Sequence, residues 1–236
     1  MTNLNTLSLL AAGTCALTVA SAANAGMVYW NMATASATSN NISNLTVGDL
    51  TQGNNNGTTT MISTTSPSSG YTFDLNGSST SASGTSNAGA AARTGALATG
   101  ANGSAYFQFT LTAGAGYTGS LTALGFGTRA TGTGPASFTL RSSADNYASD
   151  LATASATANS TWTYKTMTLA TSANLDESAT VTFRLYGYAG VGSATAGTAN
   201  WRIDDLTVTA TTTATPAPGA VALLGVAGLV GARRRR

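Results

Sequence analysis

Histidine is absent from this 236-residue chain, and cysteine occurs once, as Cys15. The first absence removes the Ser-His-Asp and Cys-His catalytic arrangements together with the commonest metal ligand. Cys15 falls inside an apolar N-terminal stretch, residues 7–20, so beyond that stretch there is neither a thiolate ligand nor a disulfide. Charge is scarce as well. Asp, Glu, Lys and Arg make up 8% of the residues, against about 25% in ordinary soluble domains, so Ser, Thr, Asn and Gly must supply the polar surface. Gly125-Phe126-Gly127 and Gly132-Thr133-Gly134-Pro135 are followed by neither a helix start nor a Lys-Ser/Thr pair, and neither is a phosphate loop. Most of the enzymatic toolkit is thereby excluded.

What is present begins with residues 1–25. An apolar stretch precedes Ala23-Asn24-Ala25, small residues spaced two apart, which is the pattern of a secretory signal peptide and its cleavage site. The segment ahead of it, residues 1–6, carries no Lys or Arg, so only the α-amino group supplies the usual positive charge. The formal net charge of +2 rests on ten Lys and Arg against eight Asp and Glu, but four of those arginines stand together as Arg233, Arg234, Arg235 and Arg236. Without them six basic residues face eight acidic ones, a balance near −2. The basic excess therefore belongs to the tail and implies no nucleic-acid surface.

Residues 26–209 are enough for one substantial domain, and their patterning is that of strands. Phe107, Phe109 and Leu111 alternate with Gln108 and Thr110, the period of a strand with one buried face. Similar runs place Val28 and Trp30, Phe138 and Leu140, Val181, Phe183 and Leu185, and Trp201 and Ile203 on apolar faces. The spacings from Tyr164 to Met167 and from Ile203 to Leu206 are odd, and a bulge at each would return the later residues to the core. The region 34–103, rich in Gly, Asn and Ser with apolar islands at residues 42–50, 61–62 and 71–75, reads mainly as loops, residues 76–92 among them. The expectation is an all-β fold, a single jelly-roll-like β-sandwich, with residues 210–215 as a linker.

Two groups of side chains carry candidate chemistry. Asp204 and Asp205 are adjacent, so without a bulge they point to opposite faces of a strand and cannot form an acid/base pair. One reading has one of them accepting backbone hydrogen bonds at the bulge and the other pairing with Arg184 or Arg202; the other has one of them holding structural calcium, an ion that takes six to eight oxygens. Arg184, Tyr186 and Tyr188 share the face opposite Phe183 and Leu185. They form either a glycan-facing platform, since sugar C–H faces stack on aromatic planes, or a cross-strand tyrosine cluster beneath a loop.

From residue 220 to residue 230 every side chain is Ala, Val, Leu or Gly, so the segment leaves water for lipid as a helix that closes its own backbone hydrogen bonds. It falls short of the roughly 20 residues of a secure span, and the arginines behind it are held on the cytoplasmic side. By itself this is a stop-transfer anchor. Taken with Pro216, Ala217 and Pro218 ahead of it, the segment 216–236 resembles the PEP-CTERM sorting signal of exported Gram-negative proteins, with Ala217 where that family usually has Glu. Segments at residues 131–151 and 200–205 are similar to exported proteins of that kind, and Trp201-Arg202-Ile203-Asp204-Asp205 also resembles the last strand of jelly-roll carbohydrate-binding modules. The resemblance implies transient residence in the inner membrane, processing near the tripeptide by an exosortase-type membrane enzyme, and delivery to the cell surface or extracellular polysaccharide. The expected function is that of a non-enzymatic exported protein, without catalytic residues or cofactor. A carbohydrate-binding module is the alternative, and a polysaccharide-acting enzyme with two converging carboxylates is a third.

Overall fold

A computed structural model of the chain describes residues 23–82 and 84–216. The expected signal-peptide residues 1–22 and the tail from Ala217 through Arg236 lie outside the described residues. Among the described residues the regular elements are strands apart from one 3-10 turn at Ser143–Asp145, and no helix is long and apolar enough to cross a membrane.

Numbered along the chain, one sheet orders β13 (Thr163–Leu175), β10 (Tyr117–Ala130), β15 (Trp201–Ala214), β1 (Ala23–Trp30) and β2 (Ser39–Asn40). Two short strands extend it beside the first residues of β15: β8 (Asn87–Ala90), then β5 (Ile62–Ser63). The other sheet orders β12 (Ala152–Ser155), β11 (Ser137–Ser142), β14 (Thr180–Tyr188), β9 (Tyr106–Ala113) and β3 (Leu45–Val47), with β4 (Thr51–Gly53) also on β9. A separate hairpin joins β6 (Thr72–Leu75) to β7 (Ser78–Ser81). These strand pairings are antiparallel.

The two large sheets meet through the alternating apolar residues. Phe107, Phe109, Leu111, Phe138, Leu140, Val181, Phe183, Leu185, Trp201 and Ile203 are all buried in one core. Ring contacts cross from sheet to sheet: Phe107 to Trp201 at 4.7 Å between centroids, Trp30 to Phe109 at 5.5 Å and Phe126 to Phe138 at 5.5 Å. The Trp201 indole N–H, which would be costly to bury unpaired, donates to Thr128 Oγ1 at 3.1 Å.

Several expectations need correction. β15 continues through residues 210–214 in place of a linker, because the extension pairs with β10 on one side and β1 on the other. There Ala210 and Thr212 are buried, and the Thr212 hydroxyl donates to Ser43 O at 2.8 Å. β1 in turn starts at Ala23, so residues assigned to the signal peptide pair with Thr211, Thr212 and Thr213. Within the stretch 76–92, expected as loop, Asn87–Ala90 is a wholly buried strand; its small side chains let it lie close beside Trp201, Arg202 and Ile203.

The bulge expected between Tyr164 and Met167 is absent. Register runs unbroken from Thr163↔Thr128 to Thr168↔Ala123 and slips only afterwards, where two steps on β10 answer five on β13. Tyr164 and Met167 instead serve opposite faces: Met167 joins the core, while Tyr164 packs outside it against Tyr71 and Phe73.

Candidate functional site

The second odd spacing does mark a bulge. Along β10 and β15 the register passes from Gly127↔Asp204 to Gly125↔Thr207, two steps against three, and Asp205 adopts a left-handed φ of 48°. Ile203 and Leu206 therefore both reach the core, while the extra residue leaves both aspartates on the outer side of the sheet. Asp204 Oδ1 accepts the Asp205 backbone N–H at 2.8 Å. Asp205 takes two phenols: Tyr29 donates to Oδ1 at 2.6 Å, and Tyr71, at the start of the hairpin, donates to Oδ2 at 2.8 Å. The pairing with Arg184 or Arg202 does not occur, because Asp205 spends both oxygens on phenols and Asp204 turns to its own strand.

Around the carboxyls stands a ring cluster. Tyr164 stacks on Phe73 at 5.4 Å and lies 5.7 Å from Tyr71, Tyr29 lies 5.8 Å from Phe73, and Trp162 closes against Tyr71 at 6.4 Å. Two glycines make the space. A Cβ on Gly127 would collide with the Tyr71 hydroxyl, and one on Gly125 with the hydroxyls of Tyr164 and Thr207. Those two hydroxyls hydrogen-bond each other at 2.8 Å. The β6–β7 hairpin is thus fastened to the outer face of the sheet by rings above glycines and by a phenol-carboxylate bond.

Electrostatics follow from burial. Asp204 and Asp205 are 0% and 3% exposed. Burial, reinforced by the neighbouring Asp205 charge, pushes the Asp204 carboxyl up to about 7. Asp205 is also raised by burial, although its two phenol donors hold it down in part. Tyr29 and Tyr71 are driven well above the ordinary phenol value by burial and the adjacent carboxylate, and burial carries Tyr164 to about 12. Both phenols facing Asp205 therefore stay protonated as donors. Asp204 Oδ2 and Ser68 Oγ are buried without a hydrogen-bond partner, and both lie close to Gly84.

This donor set does not fit structural calcium, the second of the two readings. Both Asp205 oxygens already accept O–H groups, and among the described residues no group of three or more His, Cys, Asp or Glu side chains converges. Asp204 and Asp205 are themselves enclosed and do not stand across an open cleft from each other.

The proposed glycan platform is closed. Tyr186 is 0% exposed, its ring meeting that of its cross-strand neighbour Tyr106 edge-on at 5.2 Å. The Arg184 guanidinium lies 4.3 Å from the Tyr106 ring centre and 4.0 Å from that of Tyr147, beyond the 3-10 turn. It donates through Nε to Gln108 at 2.9 Å and through Nη1 to the Tyr186 hydroxyl at 3.3 Å. Arg184 therefore fills the space a sugar ring would need. Of the three residues expected there, Tyr188 is half-buried at the end of β14.

An open groove lies elsewhere, at the β5–β8 edge. It has a volume of about 550 Å3 and is lined by Thr59, Thr60, Ile62, Ser63, Thr64 and the segment 197–199, with Arg202 at its side. Sequence reasoning passed over it because its walls come from polar segments far apart in the chain, one of them resembling a plain loop. The only advance signal was Arg202 facing away from the core between Trp201 and Ile203. A shallower recess of about 470 Å3 flanks the hairpin at Gly70, Tyr71, Thr72, Ser81 and Ala82. No protein-family model matches this chain, and comparison with curated proteins finds no match.

Proposed function

We propose that the chain is an exported, non-enzymatic protein of the cell surface or extracellular matrix: a jelly-roll-like β-sandwich delivered by an exosortase-type sorting signal. The observation that carries this reading is the succession in the sequence of Pro216-Ala217-Pro218, the apolar run 219–232 and Arg233 to Arg236. The apolar run draws the precursor into the inner membrane, the arginines hold its end on the cytoplasmic side, and a membrane enzyme cuts near Pro218. Removal of the arginines turns a net charge of +2 into one near −2. The chemistry of the body agrees with a passive role: the chain lacks histidine, and its adjacent aspartates are enclosed under a hairpin.

The test is intact-mass measurement of surface material from the native host. Loss of residues after the tripeptide is the expected result, and a chain still ending in Arg236 would leave a plain membrane anchor. Replacing Arg233 to Arg236 with Ser is expected to weaken retention before processing. A second reading, association with extracellular polysaccharide, is favoured by the hydroxyl-lined groove beside Arg202 and no longer by Tyr186.

A further inference from the structure

Arg202 sits in β15 directly opposite Arg129 of β10. Facing residues of an antiparallel pair hold their Cβ atoms about 5 Å apart, and like charges there repel. Among the described residues no carboxylate pairs with either of them. All eight Asp and Glu side chains lie among the described residues, yet the one ion pair there is Arg141 with Asp150, at 2.6 Å. The Arg129 Nε donates to a backbone carbonyl, Ser160 O, at 2.8 Å. Two arginines paired across neighbouring strands without a carboxylate raise the local positive potential and favour an anion.

Arg202 is also held in place. Its guanidinium leans across β8, where its Nη1 would stand 3.2 Å from a Cβ on Gly89, so the bare backbone there admits it. That Nη1 donates to Asn87 Oδ1 at 2.7 Å. Asn87 is 0% exposed, and its Nδ2 is fixed by the carbonyls of Thr65 and Ser66 at 2.7 and 3.0 Å. A buried amide whose donors are satisfied thus aims its acceptor at the arginine, leaving the other guanidinium N–H groups available beside the groove. The groove wall adds the hydroxyl residues Thr59, Thr60, Thr64 and Thr198, and Ser63, whose hydroxyl also bonds that of Thr65. One fixed guanidinium, a second cation across the strand and a row of hydroxyls match a sugar that carries a carboxylate among its own hydroxyls.

We infer that this groove binds an acidic polysaccharide, taking a uronate carboxylate on Arg202 and the neighbouring sugar hydroxyls on the Thr/Ser wall, with Arg129 strengthening the local positive potential. The choice of a polymer over a free anion rests on the exported reading above; the anion site itself rests on the arginines.

The experiment is titration of the purified chain with polygalacturonate, with dextran as the neutral polymer and with galacturonate and citrate as free anions. Polygalacturonate is expected to bind, more weakly as salt rises, and dextran to leave no signal. Arg202→Gln should weaken binding about tenfold or more, the loss of one charge-assisted contact. Arg129→Gln, at a half-buried position whose folding melting curves check, should weaken it about threefold through the field alone. Melting curves identify any loss of fold in Arg202→Gln, and Arg202→Lys then serves in its place, keeping charge while losing the fixed fork. Absence of polygalacturonate binding, equal binding of dextran, or indifference to both arginine variants would overturn the inference. Binding of citrate or galacturonate without the polymer would overturn the polysaccharide assignment. Tail processing is read separately by mass, so polyuronate binding by a chain that keeps Arg236 would fail the processing reading alone.

Discussion

The two outer faces of this molecule flank opposite charges with the same side chain. Over one sheet, Tyr29 and Tyr71 surround Asp205 and act through their hydroxyls, each donating to the carboxylate. Over the other, Tyr106 and Tyr147 surround Arg184 and act through their ring faces, while the Tyr186 hydroxyl accepts from the cation. Tyrosine can do both because its phenol is a donor and an acceptor and its ring carries a negative face. The consequences differ. The acid is linked by Tyr71 to a hairpin distant in sequence and fastens that hairpin to the sheet. Apart from Tyr147, the partners of the arginine all stand on its own strand or the next one, β9, and their contacts add detail to a sheet that is already assembled.

The largest expected effect lies in the core beneath both faces and sets the scale. Phe183 stacks on Phe109 at 5.5 Å and is 0% exposed, so Phe183→Ala should cost roughly 3–5 kcal/mol. Chemical denaturation measures it, and a variant as stable as the parent would place Phe183 outside the core.

Next in size is a pH dependence that only the acidic face should show. The Asp204 carboxyl stands near 7 in the folded chain, against an ordinary 3.8, because it is buried beside Asp205. A raised acid favours the folded state while it is protonated. Its contribution is therefore present at low pH, is lost as pH rises from about 4 through 7, and is flat above that. Between pH 5 and pH 8 the loss should be on the order of 2–3 kcal/mol, and Asp205, also raised by burial, acts in the same direction. Asp204→Asn should flatten the slope in a series of unfolding curves. A chain that becomes more stable from pH 5 to pH 8 would show that Asp204 is not buried as an acid.

The inner faces were legible in the sequence because period-two alternation reports a buried face directly, as Phe107 to Leu111 show. The bulge at Ile203 to Leu206 was legible for the same reason: a fault in the period must be absorbed locally. Tyr164 to Met167 has the same spacing and misled, because a ring can be buried on an outer face that another segment covers. That cover, Tyr71 and Phe73 in a polar region, is set by long-range pairing that local patterning does not encode. Tyr186 misled in the opposite way. It does face away from the core, but Arg184 and Tyr106 enclose it, and an alternating pattern does not distinguish an open outer face from a covered one. Arg202 offered no signal beyond its charge and its outward place between Trp201 and Ile203, since its Asn87 and Gly89 partners come from a strand built of residues that read as loop.

The hydroxyl comparison can be made with one kind of substitution on each face. Tyr71→Phe keeps the ring over Gly127 and removes a 2.8 Å donor from a buried carboxylate; a bond to a charged group makes this worth about 2 kcal/mol. Loosening should concentrate in the hairpin, where amide exchange in residues 72–81 rises more than in the core strands. Equal loosening throughout would mean that the hairpin is held by its rings and not by the phenol.

Tyr186→Phe is the matching change and the smallest expected effect. The ring keeps its edge contact with Tyr106, and the hydroxyl it loses accepts a long 3.3 Å bond from Arg184 Nη1. Arg184 retains its Nε bond to Gln108 and its two ring contacts, so the cation is not stranded, and the cost should stay under about 1 kcal/mol. An acceptor removed from a group with several other partners matters less than a donor removed from one of two. Should Tyr186→Phe destabilise the chain as much as Tyr71→Phe, the cation would depend on the phenol oxygen as the acid does, and the ring faces of Tyr106 and Tyr147 would be spectators. A cost near zero, with Arg184→Gln costing clearly more, would establish that on this face tyrosine works through its ring.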